Sequence, residues 1–204
     1  QLFLDEFYRR TRDGWSNGRN TLIAPHLGKI LVEAAEVAGV PAGQLTDRRC
    51  LEAYAWRAVP GVRTFPDVPA ALTLLHEQGI KVGIVTNAYQ PMWIRDVEIA
   101  EHGLLDFFPD CRISATDVGY LKPHPAIFKA ALDVLGIEPC EAVFVGDNPT
   151  ADIAGAQAAG LRAVLRVNQT LSPMLSGLIV PDAALNSLAE LPRFLDEWYP
   201  GWRE

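Results

Sequence analysis

The apolar positions of the chain change their period near Pro60. Before it they recur at helical spacing; after it, short apolar runs alternate with helical stretches. Leu2, Phe3, Phe7 and Tyr8 fall on roughly one face of a first helix. Residues 27–38 repeat the helical spacing and are closed by Gly39 and Pro41. Thr46 or Asp47 caps a third helix, which carries Leu51, Tyr54, Ala55 and Ala58 on one side. Between the first two helices, residues 13–20 read as a polar loop with one large aromatic, Trp15, assigned to packing. No strand is predicted before residue 58.

Beyond Pro60 the pattern predicts a helix marked by Val68, Leu72 and Leu75 and ended by Gly79. Residues 81–87 form a buried strand that breaks into polar Thr86 and Asn87. A helix over 93–102 is closed by Gly103, a short strand covers 112–114, and a helix over 125–135 is closed by Gly136. Strands follow at 142–145, 163–167 and 178–180, and a terminal helix at 185–198 is interrupted or offset by Pro192. Strands alternating with helices give an α/β fold: a parallel sheet with helices on both faces. The chain shows no internal repeat and no low-complexity segment.

Composition narrows the class. With 204 residues, 49% hydrophobic and 21% charged, the chain suits one folded domain with a small addition. A net charge of −7 argues against nucleic acid and anionic membrane as partners. It leaves a locally cationic phosphate site open. Cys50, Cys111 and Cys140 lack metal-ligand spacing and read as small buried residues in a reducing compartment, the cytoplasm. No apolar run approaches the ~20 residues of a membrane span. The sequon at Asn168 is read as coincidence. Oligomeric state is left open; the aromatic C-terminus (Trp198, Tyr199, Trp202) is assigned to packing on the core.

The richest stretch is 143–152, Val-Phe-Val-Gly-Asp-Asn-Pro-Thr-Ala-Asp. Its β-branched strand ends in Asp147. Asn148 is a good N-cap and Pro149 a good first helical residue, with the helix running to Ala159 and Gly160 behind it. Asp147 then stands at the carboxyl end of a strand, where open α/β sheets bind ligands. Asp152, one turn into the helix, points back at the same crevice. Each acid alone is explained by the helix dipole. Together they suit a hard cation such as Mg²⁺.

Other segments meet the same sheet edge. Thr86 and Asn87 end one strand, and Lys122 precedes a helix. A hydroxyl, backbone N–H groups, an ammonium and metal-binding carboxylates together make a phosphate site. Thr86 and the N–H after it donate to phosphoryl oxygens, Lys122 offsets developing charge, and Asp147 and Asp152 hold the metal. Alone, Thr86 merely finishes a strand, Lys122 is a surface residue and His124 a loop histidine. Nucleotide motifs fail: no Gly-x-Gly-x-x-Gly follows a strand, and Gly155 to Gly160 is followed by Leu161-Arg162 within a helical pattern.

In order and spacing, Ile84-Val85-Thr86-Asn87, Lys122-Pro123-His124-Pro125-Ala126-Ile127-Phe128 and Val145-Gly146-Asp147-Asn148-Pro149-Thr150-Ala151-Asp152 resemble motifs of the haloacid dehalogenase-like hydrolase superfamily. The likeness is to its phosphatase-like branch with a small helical cap, and it covers about residues 60–191. It implies a Rossmann-like core over 59–204 and a helical cap over 1–58 that shapes specificity. It further implies Mg²⁺ and hydrolysis of a small phosphorylated metabolite through a phosphoaspartyl intermediate.

One departure stands out. The superfamily's first motif, an Asp-x-Asp-Gly-Thr segment ending the first strand, is absent. Asp5 falls in a helical pattern and is not taken as the nucleophile. A core without that middle strand leaves two rows of backbone groups unpaired. The expectation is therefore that the nucleophile lies upstream of Gln1. Two alternatives stay open: a non-catalytic phosphate-binding or interaction protein of the same fold, and a haloacid dehalogenase. The latter needs no Mg²⁺, so the paired carboxylates count against it.

Overall fold

In the computed structural model, which describes residues 1–167 and 179–204, three helices lead the chain: α1 (Leu2–Thr21), α2 (Leu27–Val37) and α3 (Asp47–Tyr54). The expected loop over 13–20 is instead the continuation of α1. Its glycines have low helix propensity, and tertiary contact overrides it. A Cβ at Gly18 would come within 2.9 Å of the Ile23 carbonyl and of Leu121, and one at Gly14 within 3.1 Å of Pro25. The small residues thus let α1 lie close against the segment that follows it. Trp15 packs on the main apolar cluster, as expected. His26 and Thr46 cap α2 and α3, their side chains accepting the Lys29 and Arg49 N–H groups.

The remaining elements alternate: α4 (Val68–Glu77), β1 (Gly83–Thr86), α5 (Met92–Glu101), β2 (Cys111–Ser114), α6 (Ala115–Val118) and α7 (Pro125–Leu135). After them come β3 (Val143–Gly146), a π-helical turn (Pro149–Ala154) running into α8 (Gly155–Ala158), β4 (Arg162–Arg166), β5 (Ala183–Leu185) and α9 (Leu191–Trp198). Every strand pair is parallel, which establishes the α/β fold. Among the described residues the strands form two sheets, β1-β2 and β3-β4-β5. Thr86 is level with Ser114, and Gly146 with Leu165. The last strand is displaced from the expected 178–180 to Ala183–Leu185; Leu178 and Asn168 lie outside the described residues. Pro192 does not interrupt α9 but begins it, where its missing N–H costs nothing.

The main cluster is centred on Phe128, Ile127, Ile153 and Ala163, each at most 1% exposed, where α7 and the π turn meet β4. Trp198, Tyr199 and Trp202 pack on a second cluster around Val164 and Leu185, as expected. Of the cysteines only Cys111 is buried; Cys50 is half-buried and Cys140 exposed, which corrects the expectation of three buried thiols. No helix among the described residues is long and apolar enough to cross a membrane.

Candidate functional site

The fold brings Thr86, Asn87, Lys122, Asp147 and Asp152 to the carboxyl ends of β1 and β3. Asn148 Oδ1 accepts the Thr150 and Ala151 N–H groups at 3.0 and 2.8 Å, so the N-cap forms as read. Asp152 Oδ2 accepts the Asp147 and Asn148 N–H groups at 3.1 and 3.0 Å. This folds the loop around the carboxylate and requires Gly146: a Cβ there would sit 2.4 Å from that of Asp152.

Lys122 joins the two strand ends. Its ammonium donates to the Val85 carbonyl at 2.8 Å and lies 2.8 Å from Asp152 Oδ1. Both side chains are at most 10% exposed. Asp152 Oδ1 makes no well-aligned hydrogen bond despite that distance, so the contact is chiefly ionic. The Phe144 ring lies 5.1 Å from the ammonium and closes one side of it. The expected surface lysine is therefore a buried, paired charge.

Asn87 has a role the sequence did not disclose. Its Oδ1 accepts the Lys122 N–H at 2.7 Å and its amide donates to the Lys122 carbonyl at 3.1 Å. The side chain clamps the Lys122 loop to the end of β1, leaving the Asn87 backbone N–H as its group for a ligand. The Thr86 hydroxyl ends the strand beside it with no side-chain hydrogen bond among the described residues. Ser114, fully buried and not singled out by sequence, bonds through its hydroxyl to the Gln90 carbonyl at 2.6 Å and fixes the loop after Asn87. A polar residue closing an apolar strand was its only sequence signal.

The acids do not make a complete cation site. Mg²⁺ takes six oxygen ligands. Asp152 is committed to Lys122 and two N–H groups, which leaves Asp147, exposed at the strand end, as the carboxylate facing the crevice. Among the described residues no three His, Cys, Asp or Glu side chains are grouped to hold a metal ion. These residues by themselves do not fit Mg²⁺. A hollow of about 480 Å³, lined by Cys140, Arg162 and Asp182, opens at the amino ends of β3, β4 and β5. It is remote from this chemistry and gathers no convergent phosphate-binding groups.

Known proteins share this arrangement. A family model described as haloacid dehalogenase-like hydrolase matches residues 19–160. The phosphoserine phosphatase of Thermus thermophilus is 33% identical over 140 residues, covering 69% of this chain and 54% of that protein. A HAD phosphatase structure from Thermococcus onnurineus aligns at a TM-score of 0.61 and 32% identity, covering 79% of this chain and 67% of that one. A 2-haloacid dehalogenase structure from Pseudomonas syringae aligns at a TM-score of 0.66 and 27% identity, covering 95% and 81%. The chain spans about half the length of the curated relatives it matches.

Proposed function

This chain belongs to the haloacid dehalogenase-like hydrolase family, and from that premise we propose that it serves in the hydrolysis of a small phosphate monoester. The observation that carries the reading is the buried Lys122–Asp152 pair, set between the ends of β1 and β3 beside the Thr86 hydroxyl. An ammonium held there, in a place shielded from water, favours an anion and the charge that builds on phosphoryl oxygens. Thr86 and the Asn87 N–H donate to the same oxygens. Asp152 positions Lys122 and shapes the loop that presents Asp147. Residues 1–58 act as the cap over the 59–204 core. The names of relatives, phosphoserine and phosphoglycolate phosphatase among them, support a small phosphorylated substrate.

Mg²⁺ is the cofactor expected of this chemistry, where it neutralises phosphoryl charge. Asp147 is the residue here offered to it; the described residues do not complete its shell, and no step is derived through it. The 204 residues contain no Asp-x-Asp segment to supply an attacking carboxylate. That favours a second reading, a phosphate-binding protein of the same fold without turnover. A dehalogenase reading draws on the structural likeness to a 2-haloacid dehalogenase and is opposed by Asp147.

The test is phosphate release from a panel of phosphate monoesters, with and without Mg²⁺. Turnover that requires Mg²⁺ and disappears in Asp147→Asn, with the fold kept, supports the hydrolase. Turnover unchanged in Asp147→Asn refutes the role of that residue. Binding of phosphate without turnover favours the second reading, and halide release from a 2-haloacid without Mg²⁺ favours the third.

A further inference from the structure

One side chain close to Lys122 has no part in the phosphate site. The His124 N–H donates to the Leu121 carbonyl at 2.8 Å, so the chain turns back and keeps the imidazole near the Lys122 loop. His124 Nδ1 accepts the Ala126 N–H at 3.2 Å where α7 begins. A ring nitrogen that accepts a hydrogen bond carries no proton, which places the proton on Nε2. The ring lies flat against Tyr120, with centroids 3.9 Å apart and planes 10° from parallel. Tyr120 is itself held, bridged to Ile23, while the next N–H, of Leu121, donates to the Leu22 carbonyl at 2.8 Å. The imidazole is thus fixed along one edge and over one face.

Its other edge is a donor without an acceptor: among the described residues nothing receives the Nε2–H. Capping α7 needs only Nδ1, and asparagine would serve that purpose equally well. We propose that His124 anchors the substrate, its Nε2–H binding a second anionic group, a carboxylate, on a small phosphate monoester. This rests on the phosphate-site reading above. Lys122, Thr86 and the Asn87 N–H account for the phosphoryl oxygens, which leaves His124 for the remainder of the molecule. A carboxylate accepts only and makes the stronger, charge-assisted bond; a hydroxyl is matched no better by this donor than by water.

The experiment compares calorimetric binding of phosphonoacetate, which carries a carboxylate, with methylphosphonate, which does not, both with Mg²⁺ present. The wild type binds phosphonoacetate roughly tenfold more tightly, the worth of one hydrogen bond to a charged group. His124→Asn keeps the cap, removes the outer donor and brings the ratio of dissociation constants close to one. Tyr120→Ala unlocks the ring and lowers the ratio too, and it decides the matter if the first variant does not fold. A wild type that does not discriminate, or a ratio that survives both substitutions, overturns the proposal. Binding of neither phosphonate overturns it together with the phosphate site. The expected ratios without phosphate release from any ester uphold the anchor and sink only the hydrolase.

Discussion

Gly146 and Asp152 depend on each other at the scale of single atoms. The carboxylate occupies the space that any side chain at 146 would fill. Gly146→Ala should therefore lower stability by about 2 kcal/mol through overpacking and loosen Lys122; an unchanged melting temperature would contradict this. Asp152→Asn removes the charge facing Lys122 and leaves the ammonium buried with only the Val85 carbonyl. Breaking a buried pair from one side costs about 3 kcal/mol or more. Asp147→Asn, at an exposed position, should cost under about 0.5 kcal/mol. Denaturant unfolding of the two variants separates the buried acid from the exposed one, a distinction that two aspartates five positions apart do not carry in sequence. Equal losses would refute it.

Between elements, Asp67 performs a joining role. It precedes α4, yet its carboxylate accepts from Arg166 of β4 at 3.1 Å, from the Ser187 hydroxyl at 2.8 Å and from the Leu188 N–H at 2.6 Å. Burial on its own would raise its pKa. The Leu188 N–H, the Ser187 hydroxyl and Arg166 outweigh that and lower it from 3.8 to about 2. A carboxyl depressed on folding contributes stability that is fully present above pH 3.8 and lost as pH falls toward 2. Wild type should exceed Asp67→Asn by on the order of 2 kcal/mol at pH 6, with the gap closing below pH 3. A gap that does not change with pH would mean the carboxylate charge is irrelevant. Element types were legible here because glycines and prolines punctuate the chain: Gly79, Gly103, Gly119 and Gly136 all take positive φ at helix ends. The Asp67 contacts were not legible, since their partners lie 99 to 121 positions away.

Across the whole molecule, the two parallel sheets predict uneven protection. β4 is flanked by strands on both sides, whereas β1 is paired on one side only among the described residues. Hydrogen exchange should be slowest in β4 and faster in β1; equal protection would show that the second edge of β1 is covered.

The sequence determined the α/β alternation, the strand ends that carry Thr86 and Asp147, the N-cap at Asn148 and the family. Each depends on local periodicity, on backbone restrictions of Gly and Pro, or on fixed short spacings. Tertiary structure decided the rest. It carried α1 through residues 13–20 because the neighbouring backbone fits only against glycine. It turned Asn87 from a ligand candidate into a clamp, and it paired Lys122 with Asp152 rather than leaving both to a bound ion. Such outcomes follow from which groups are desolvated together. Burial makes an unpaired charge or donor costly, and which groups share that burial is fixed only when distant segments meet.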